Sequence, residues 1–167
     1  MTFNFSEFKN KKIIVTGSST GIGFETGVEF LNLGANVIFH GNQSINDLEA
    51  RIKTKSQSKN FKLFKSDFTD LSQVDNFMND AINYLDGLDI LVNNAGTMVG
   101  RYQLDSISEK DFLKIFDLNA KSAYFVTKSA CTIFKKQNYG NIINVSTISA
   151  RTGGSAGSSV YAASKAF

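Results

Sequence analysis

A tyrosine and a lysine four residues apart, Tyr161 and Lys165, form the spacing that most directly suggests acid–base chemistry in this chain. On a helix, residues at positions i and i+4 share one face, so the two side chains are expected to lie together. A lysine ammonium stabilises the negative phenolate of a nearby tyrosine, which makes the hydroxyl a usable proton donor and acceptor near neutral pH. The pair therefore predicts general acid–base work by Tyr161, with Lys165 as its electrostatic partner.

A glycine-rich turn near the N-terminus predicts a site for phosphate groups. Residues 16–23 read Thr-Gly-Ser-Ser-Thr-Gly-Ile-Gly, directly after an apolar run and directly before a helical pattern. Glycines at 17, 21 and 23 permit a tight turn and close approach of the backbone to a pyrophosphate, whose charge then rests on the helix N-terminus. The spacing is not G-x-G-x-x-G, and the lack of Gly-Lys-Ser/Thr excludes a Walker loop. A plain tight connection is the alternative.

Three more polar motifs follow in chain order. Asp67 follows a third apolar run, Asn93-Asn94-Ala95-Gly96 ends a fourth, and Asn119 lies inside a long helical pattern. With the glycine-rich turn and the Tyr161–Lys165 pair, the set resembles the short-chain dehydrogenase/reductase family, whose hallmarks are T-G-x-x-x-G-x-G, N-N-A-G and Y-x-x-x-K. The resemblance implies an oxidoreductase that transfers a hydride between a nicotinamide cofactor and a carbonyl or secondary alcohol.

The resemblance also implies roles for individual residues. The Asp67 side chain and the Phe68 backbone N–H hold adenine, Asn119 holds a water that relays protons to Lys165, and Lys165 also binds the nicotinamide ribose. The implied catalytic residues are Asn119, Thr147, Tyr161 and Lys165. The implied cofactor-binding residues are Gly17, Ser19, Thr20, Gly21, Ile22, Gly23, Asn42, Asp67, Phe68, Asn94, Ala95, Gly96, Tyr161 and Lys165. No metal site is predicted.

The fourth catalytic position departs from the family pattern. The family places a serine soon after the fifth strand, usually second in a Ser-Ser pair, to polarise the substrate carbonyl. This chain has Ser146-Thr147 there. Threonine keeps the hydroxyl but adds a methyl group that restricts χ1. Thr147 is therefore predicted to serve, with Ser146 as the lesser candidate.

The end of the second apolar run bears on the choice of cofactor. An acidic residue there binds the adenosine ribose hydroxyl of NAD, whereas a basic residue accepts the 2′-phosphate of NADP. This chain has His40-Gly41-Asn42, with Gly41 at the acidic position and Asn42 at the basic one. The absence of a repelling carboxylate favours NADP(H) over NAD(H). His40 is interpreted as a solvated residue of a polar turn over residues 40–43.

The sequence leaves the substrate open. The resemblance is to 3-oxoacyl-carrier-protein reductases and to sugar and general alcohol dehydrogenases, and the family takes substrate contacts largely from the region after the catalytic helix. A non-catalytic dinucleotide-binding module is the alternative from another class. The expected partners are a small-molecule or acyl-thioester substrate and further copies of the chain, as a homodimer or homotetramer through the long helix and the helix at Tyr161.

The elements that must position these residues alternate between strand and helix. Apolar runs predict strands at residues 12–16, 36–39, 61–64, 88–92 and 142–145. Helical patterns fill residues 22–33, part of 46–58, 70–85, 108–137 and 161–167, with a Gly/Ser-rich loop over 149–159. The alternation predicts an α/β fold, a Rossmann-like doubly wound parallel sheet of order 3-2-1-4-5. Ligands of such sheets bind at the carboxyl ends of the strands, where these motifs cluster.

Composition excludes several other classes of protein. Lys+Arg 18 against Asp+Glu 15 gives a net charge of only +3, too small and scattered for nucleic-acid binding. Residues 1–8 lack an apolar signal segment, and no stretch predicts a membrane span, so a cytoplasmic location is expected. The single cysteine, Cys131, excludes a disulfide framework and is interpreted as a core or interface residue.

The chain contains no proline, although average usage of about 5% predicts roughly eight in 167 residues. Family members of ordinary size are longer and carry a proline after the sixth strand. The chain is therefore interpreted as one NAD(P)-binding domain, residues 1–167, cut at the start of the catalytic helix and lacking the last strands. Residues 1–167 alone are expected to be unstable and inactive, with the fifth strand uncovered.

Overall fold

A parallel five-stranded sheet forms the centre of the computed structural model, which describes residues 5–42 and 45–167. The strands are β1 (Lys12–Val15), β2 (Asn36–Gly41), β3 (Phe61–Lys65), β4 (Ile90–Asn93) and β5 (Asn141–Asn144). Their order is β3-β2-β1-β4-β5, and every neighbouring pair is parallel. The predicted doubly wound α/β sheet and its strand order are confirmed.

Helices connect the strands and cover both faces of the sheet. They are α1 (Gly21–Asn32), α2 (Leu48–Lys55), α3 (Leu71–Leu85), α4 (Glu109–Phe116), α5 (Ser122–Gln137), α6 (Ser149–Thr152) and α7 (Ser159–Ala166), with a 3-10 turn at Phe5–Phe8. Two apolar layers result. Ile13 and Val15 of β1 pack with Val28 of α1 on one face, while Ile14 packs with Met78 of α3 on the other.

The central strands are apolar because both of their faces are covered. Ile13, Ile14 and Val15 are completely buried, and the alternation of their side chains sends them into opposite layers. Such strands appear in a sequence as unbroken apolar runs, which is why they were predictable. β5 is the sheet edge on its side within the described residues, and Ile143 on it is 46% exposed.

The long helix predicted over residues 108–137 is continuous but not uniform. Its start is as predicted, since the Ser108 hydroxyl accepts the Asp111 backbone N–H at 3.1 Å. Between α4 and α5, however, Asp117–Lys121 is π-helical, and the Ser122 N–H reaches back five residues to the Asp117 carbonyl. Asn119 lies in the middle of this segment.

Two local predictions are wrong. The loop over residues 149–159 contains the one-turn helix α6, which ends where Gly153 takes a left-handed φ of 79°. The polar turn over residues 40–43 begins later than predicted, because His40 and Gly41 belong to β2 and pair with β3. Gln43 and the first four residues of the N-terminal stretch lie outside the described residues.

Candidate active site

The three glycines of the turn between β1 and α1 do different work. A Cβ on Gly17 would stand 2.6 Å from the Ala95 Cα, and one on Gly23 would meet the Asn94 side-chain amide, so both are needed where the turn packs on the end of β4. Gly21 has a left-handed φ of 60° and nothing within 4 Å of a Cβ position. Gly21 therefore provides the open surface of the turn, which a bound group can approach.

Asn94 and Thr16 fasten this turn to the sheet. The Asn94 amide donates to the carbonyls of Thr16 at 3.0 Å and Gly17 at 2.9 Å. In return the Thr16 hydroxyl oxygen accepts the backbone N–H groups of Asn94 at 3.1 Å and Ala95 at 3.0 Å. The threonine of the T-G-x-x-x-G-x-G motif is thus a structural link, a role that the spacing of the motif did not predict.

His40 is buried, which corrects its interpretation as a solvated turn residue. Its Nδ1 accepts the Gly17 backbone N–H at 3.0 Å, so its Nε2–H donates to the Ser66 carbonyl at 3.0 Å. The ring also stacks on Phe68 with centroids 3.9 Å apart. Burial lowers the pKa of His40 to about 4. The neutral ring therefore joins the glycine-rich turn to the end of β3.

The predicted adenine-binding residues are engaged within the protein. The Asp67 carboxylate accepts the Thr69 N–H at 2.9 Å and the Thr69 hydroxyl at 2.8 Å, and the Phe68 ring is buried against His40. Neither residue lines the cleft of about 810 Å³ that runs along the carboxyl ends of the strands. Their role in holding adenine stays a prediction.

The main cleft runs along the carboxyl ends of the strands and encloses about 810 Å³. It brings together most of the predicted site residues. Those lining it are Gly17, Ser19, Thr20, Ile22, Asn42, Asn94, Ala95, Gly96, Thr147, Tyr161 and Lys165. Gly21, Gly23 and Asn119 do not line the cleft. Gly21 and Gly23 nevertheless shape the glycine-rich turn, whose other predicted site residues do line it.

Tyr161 and Lys165 lie on α7 at one end of the cleft. The Lys165 Nζ is 3.5 Å from the position a Cβ would occupy on Gly96, so the glycine leaves room for the ammonium. Burial lowers the pKa of Lys165. Both residues lie within α7, so the i, i+4 spacing puts their side chains on one face of that helix.

Ser146 and Thr147 have different partners. The Ser146 hydroxyl donates to the Lys165 backbone carbonyl at 2.7 Å and ties β5 to α7. The Thr147 hydroxyl oxygen accepts the Ser149 N–H at 3.3 Å, and the hydroxyl donates to no atom of residues 5–42 and 45–167, so its hydrogen can be donated into the cleft. This difference favours Thr147 over Ser146 for contact with a substrate oxygen.

Asn119 uses its side chain to hold the segment after β4. Its Oδ1 accepts the Thr97 N–H at 2.9 Å, while its Nδ2 donates to the carbonyls of Thr97 at 2.8 Å and Ile115 at 2.9 Å. Both amide hydrogens are therefore used within the protein. A water relay at Asn119 stays a prediction. A water there would have to bind the second lone pair of the Asn119 Oδ1 or the main-chain atoms of the residue.

The loop before α7 is held by hydrogen bonds from the segment that follows β4. The Tyr102 N–H donates to the Gly157 carbonyl at 3.0 Å, and the Arg101 guanidinium donates to the Ser155 hydroxyl at 2.8 Å. Gly157 has a left-handed φ of 76° and a Cβ there would stand 3.1 Å from that of Arg101. The segment following β4 thus helps to set the position from which Tyr161 enters the site.

The cleft fits a phosphate-bearing cofactor. Thr20 precedes α1 without capping it through its side chain, which leaves the first N–H groups of a 12-residue helix for a ligand. Gly21 keeps that approach open. Ser19, Thr20 and Ile22 at this end, with Tyr161 and Lys165 at the other, could hold a dinucleotide along the cleft.

Residues 5–42 and 45–167 contain no cluster of three or more His, Cys, Asp or Glu side chains able to hold a metal ion. Among the helices of the same residues, none has both the length and the apolar character needed to cross a membrane. Cys131 is half-buried in α5 and forms no disulfide.

Fold and cleft together define a doubly wound α/β domain of the dinucleotide-binding class. A sequence model described as short chain dehydrogenase matches residues 11–167, so the chain belongs to the short-chain dehydrogenase family. The chain is similar to a hydroxynaphthalene reductase-like protein Arp2 of Metarhizium guizhouense (strain ARSEF 977), 30% identical over 160 residues, which are 93% of this chain and 58% of that protein. It is also similar to a probable NADP-dependent mannitol dehydrogenase of Yarrowia lipolytica (strain CLIB 122 / E 150), 32% identical over 142 residues, which are 84% and 51% of the two chains.

Among solved structures, the fold matches an NADH-dependent reductase A1-R′ in complex with NAD. The TM-score is 0.88 and the identity 32%, covering 98% of this chain and 70% of that one. The chain spans little more than half the length of the curated relatives described above.

Proposed function

We propose that this chain carries the cofactor-binding and proton-transferring residues of an NAD(P)(H)-dependent oxidoreductase that interconverts a carbonyl and a secondary alcohol. The supporting observation is that Tyr161, Lys165 and Thr147 line the same cleft as the glycine-rich turn. A proton donor, a cation and a hydroxyl thus stand at one end of a cleft whose other end accepts phosphates.

The chain's own residues divide the work of carbonyl reduction. The cofactor, when bound, supplies the hydride to the carbonyl carbon. Thr147 donates a hydrogen bond to the carbonyl oxygen and orients it, while Tyr161 gives its hydroxyl proton to the same oxygen. The Lys165 ammonium then stabilises the resulting phenolate, and its partial desolvation strengthens that interaction. In alcohol oxidation the phenolate accepts the proton.

For substrate, we infer a small polyhydroxylated ketone or polyol in preference to a 3-oxoacyl thioester. One relative is named for mannitol, and none of the similar proteins described above is named for an acyl thioester. The cleft adds the Thr147 hydroxyl, whose hydrogen can be donated to a substrate oxygen.

For cofactor, we infer NADP(H). Gly41 ends β2 where a carboxylate would select NAD, and Asn42 follows it. The names of similar proteins point both ways, since one is called NADP-dependent and another NADH-dependent. The absence of a carboxylate at the end of β2 is therefore the observation that favours NADP(H).

Self-association and location stay predictions. Phe112 of α4 is 40% exposed and Tyr124 of α5 is 56% exposed, so these helices offer apolar surface to a second copy. A homodimer or homotetramer would use this surface together with α7. A cytoplasmic location is likewise expected from the sequence alone.

The test is a cofactor-oxidation assay on the protein expressed from its complete gene. Absorbance at the reduced nicotinamide band is followed with NADPH or NADH and, in separate reactions, fructose, sorbose and an acetoacetyl thioester. Turnover with a ketose supports the proposal, and turnover with the thioester alone would replace the substrate. Binding of the cofactor without any turnover would favour the non-catalytic module.

A further inference from the structure

The end of the cleft opposite Tyr161 holds a positioned cation, Arg51 of α2. Its Nη1 donates to the Ser19 backbone carbonyl at 2.9 Å, so the guanidinium lies against the turn after β1, and Ser19 in turn adjoins Gly41 at the end of β2. Lys165 lies near Gly96, on the other side of β1 in the strand order. Among the described residues that line the cleft, these two carry the cationic side chains, and they stand at its two ends.

Arg51 is held in place without being neutralised. Its guanidinium carbon lies 4.5 Å from the centroid of the buried Phe24 ring, a cation–π contact that holds the group over that ring. The nearest carboxylate, Asp47, is 4.0 Å away and largely exposed, which makes a weak pair. Lys55, one turn further along α2, is by contrast paired with Glu25 at 2.7 Å and 2.8 Å.

Gly41 leaves the end of β2 without a side chain that could contact the adenosine ribose of a bound cofactor. A Cβ on Gly41 would stand 2.9 Å from the Ser19 Cβ and 3.1 Å from the Ile45 Cγ2. The end of β2 is therefore closed to the carboxylate that would bind a ribose diol, unless its neighbours shift. Of the guanidinium's five N–H donors, only one is used by the Ser19 carbonyl, and the others suit the oxygens of a phosphate.

We infer that Arg51 is the specificity-determining residue for the cofactor: it binds the 2′-phosphate on the adenosine ribose and so selects NADP(H) over NAD(H). The inference rests on the proposed function, because it requires a dinucleotide in the cleft. It adds a recognising side chain that comes from α2 and not from the turn or the end of β2.

The test compares dissociation constants by calorimetry for NADP⁺ and NAD⁺, and for adenosine 2′,5′-bisphosphate and adenosine 5′-monophosphate. The short ligands report on the ribose end alone. Arg51→Met is expected to weaken NADP⁺ and the bisphosphate about tenfold to a hundredfold, the scale of a lost hydrogen bond to a charged group. NAD⁺ and the monophosphate are expected to change less than about twofold, because they lack the 2′-phosphate.

Three further variants distinguish a lost contact with the 2′-phosphate from a general loss of folding in Arg51→Met. Arg51→Lys should lose part of the NADP⁺ affinity, since the ammonium keeps the charge but not the fork of donors. Asp47→Asn should strengthen NADP⁺ binding about twofold to fivefold by removing a repelling charge. Lys55→Met, the matched control on the same helix, should leave the NADP⁺ to NAD⁺ ratio unchanged.

Other results would overturn the inference. Equal losses for NADP⁺ and NAD⁺ in Arg51→Met would show that Arg51 only holds the turn in place, and unchanged affinities would show that it has no role. Unmodified protein that binds NAD⁺ but not NADP⁺ would overturn the inference and leave the proposed oxidoreductase standing. Unmodified protein that binds neither dinucleotide would overturn both.

Discussion

The Nδ1 atom of His40 accepts the backbone N–H of Gly17 across 3.0 Å, which links the end of β2 to the glycine-rich turn after β1. The ring can accept this hydrogen only while it is neutral, because a protonated imidazole is a donor at both nitrogens. The hydrogen bond therefore ties the shape of the glycine-rich turn to the protonation state of one buried side chain.

This relationship predicts a pH-dependent stability. Burial lowers the pKa of His40 from 6.5 to about 4. Between these values the unfolded chain binds a proton that the folded chain does not, so the folded state is fully stable above pH 6.5 and weakens as the pH falls towards 4. The pKa difference corresponds to about 3 kcal/mol. Urea melts of the protein and of His40→Asn across this range should show their stability difference shrinking as the pH falls. A difference independent of pH would contradict the assignment.

The glycines of the turn should differ in the cost of added side chains. Gly23→Ala brings a Cβ within 2.6 Å of the Gly17 carbonyl and against the Asn94 amide, which predicts a loss of about 1–3 kcal/mol of unfolding free energy. Gly21→Ala meets no atom within 4 Å and bears only the strain of its φ of 60°, about 1–2 kcal/mol.

The two glycine variants should also separate in dinucleotide binding. Gly21→Ala places a methyl group on the open surface of the turn, so it should weaken NADP⁺ more than its small effect on stability explains. Calorimetry measures the affinity and urea unfolding the stability. Unchanged affinity in Gly21→Ala would show that the ligand does not approach the turn there.

Tyr161→Phe should remove turnover while keeping the cofactor. Loss of a general acid typically lowers a rate by about a hundredfold to ten-thousandfold. The ring stays in place and the Gly-rich turn is untouched, so the dissociation constant for NADPH should change by less than about twofold. Tyr139→Phe is the control, since that ring is exposed and lies beside Lys11, away from the cleft. A Tyr161→Phe variant that kept its rate would disprove the assigned proton donor.

Removing the hydroxyl of Thr147 should lower the catalytic rate, whereas removing that of Ser146 should lower the stability. Thr147→Val removes a donor to the substrate oxygen and should lower kcat about a hundredfold or more, whereas Thr147→Ser should retain most of the rate. Ser146→Ala breaks the hydrogen bond to the Lys165 carbonyl, so it should lower the unfolding free energy by about 1 kcal/mol. Steady-state kinetics and thermal unfolding on all three variants separate the roles, and the reverse pattern would exchange them.

The fold was predictable where the burial of a strand or helix is visible in its own pattern of apolar residues. Ile13, Ile14 and Val15 form an apolar run because both faces of β1 are covered. The helix α6 gave no such signal, because Ser149–Thr152 is a single turn without apolar periodicity. The π-helical segment at Asp117–Lys121 also escaped, since a one-residue change of hydrogen-bond register leaves the composition of a helix unchanged.

The candidate site was predictable as a set of residue types but not as a set of contacts. Tyr161 and Lys165 are four residues apart, so helix geometry alone joins them. His40 looked like a turn residue because its partners, Gly17 and Ser66, lie 23 and 26 residues away in the chain. Arg51 gave no signal for the same reason, since its contact with Ser19 spans 32 residues.

The sequence by itself determined the chemistry available to this protein: a phenol beside an ammonium, a hydroxyl after the fifth strand, and glycines at the start of the first helix. Local periodicity records the burial of each element, and short motifs record residue types, so both can be read directly. Only the tertiary structure decided which of these groups meet. The parallel strand order brings the Asn94 amide onto the Thr16 carbonyl, 78 residues away, and the Lys165 ammonium beside Gly96, because the carboxyl ends of neighbouring strands share one edge of the sheet.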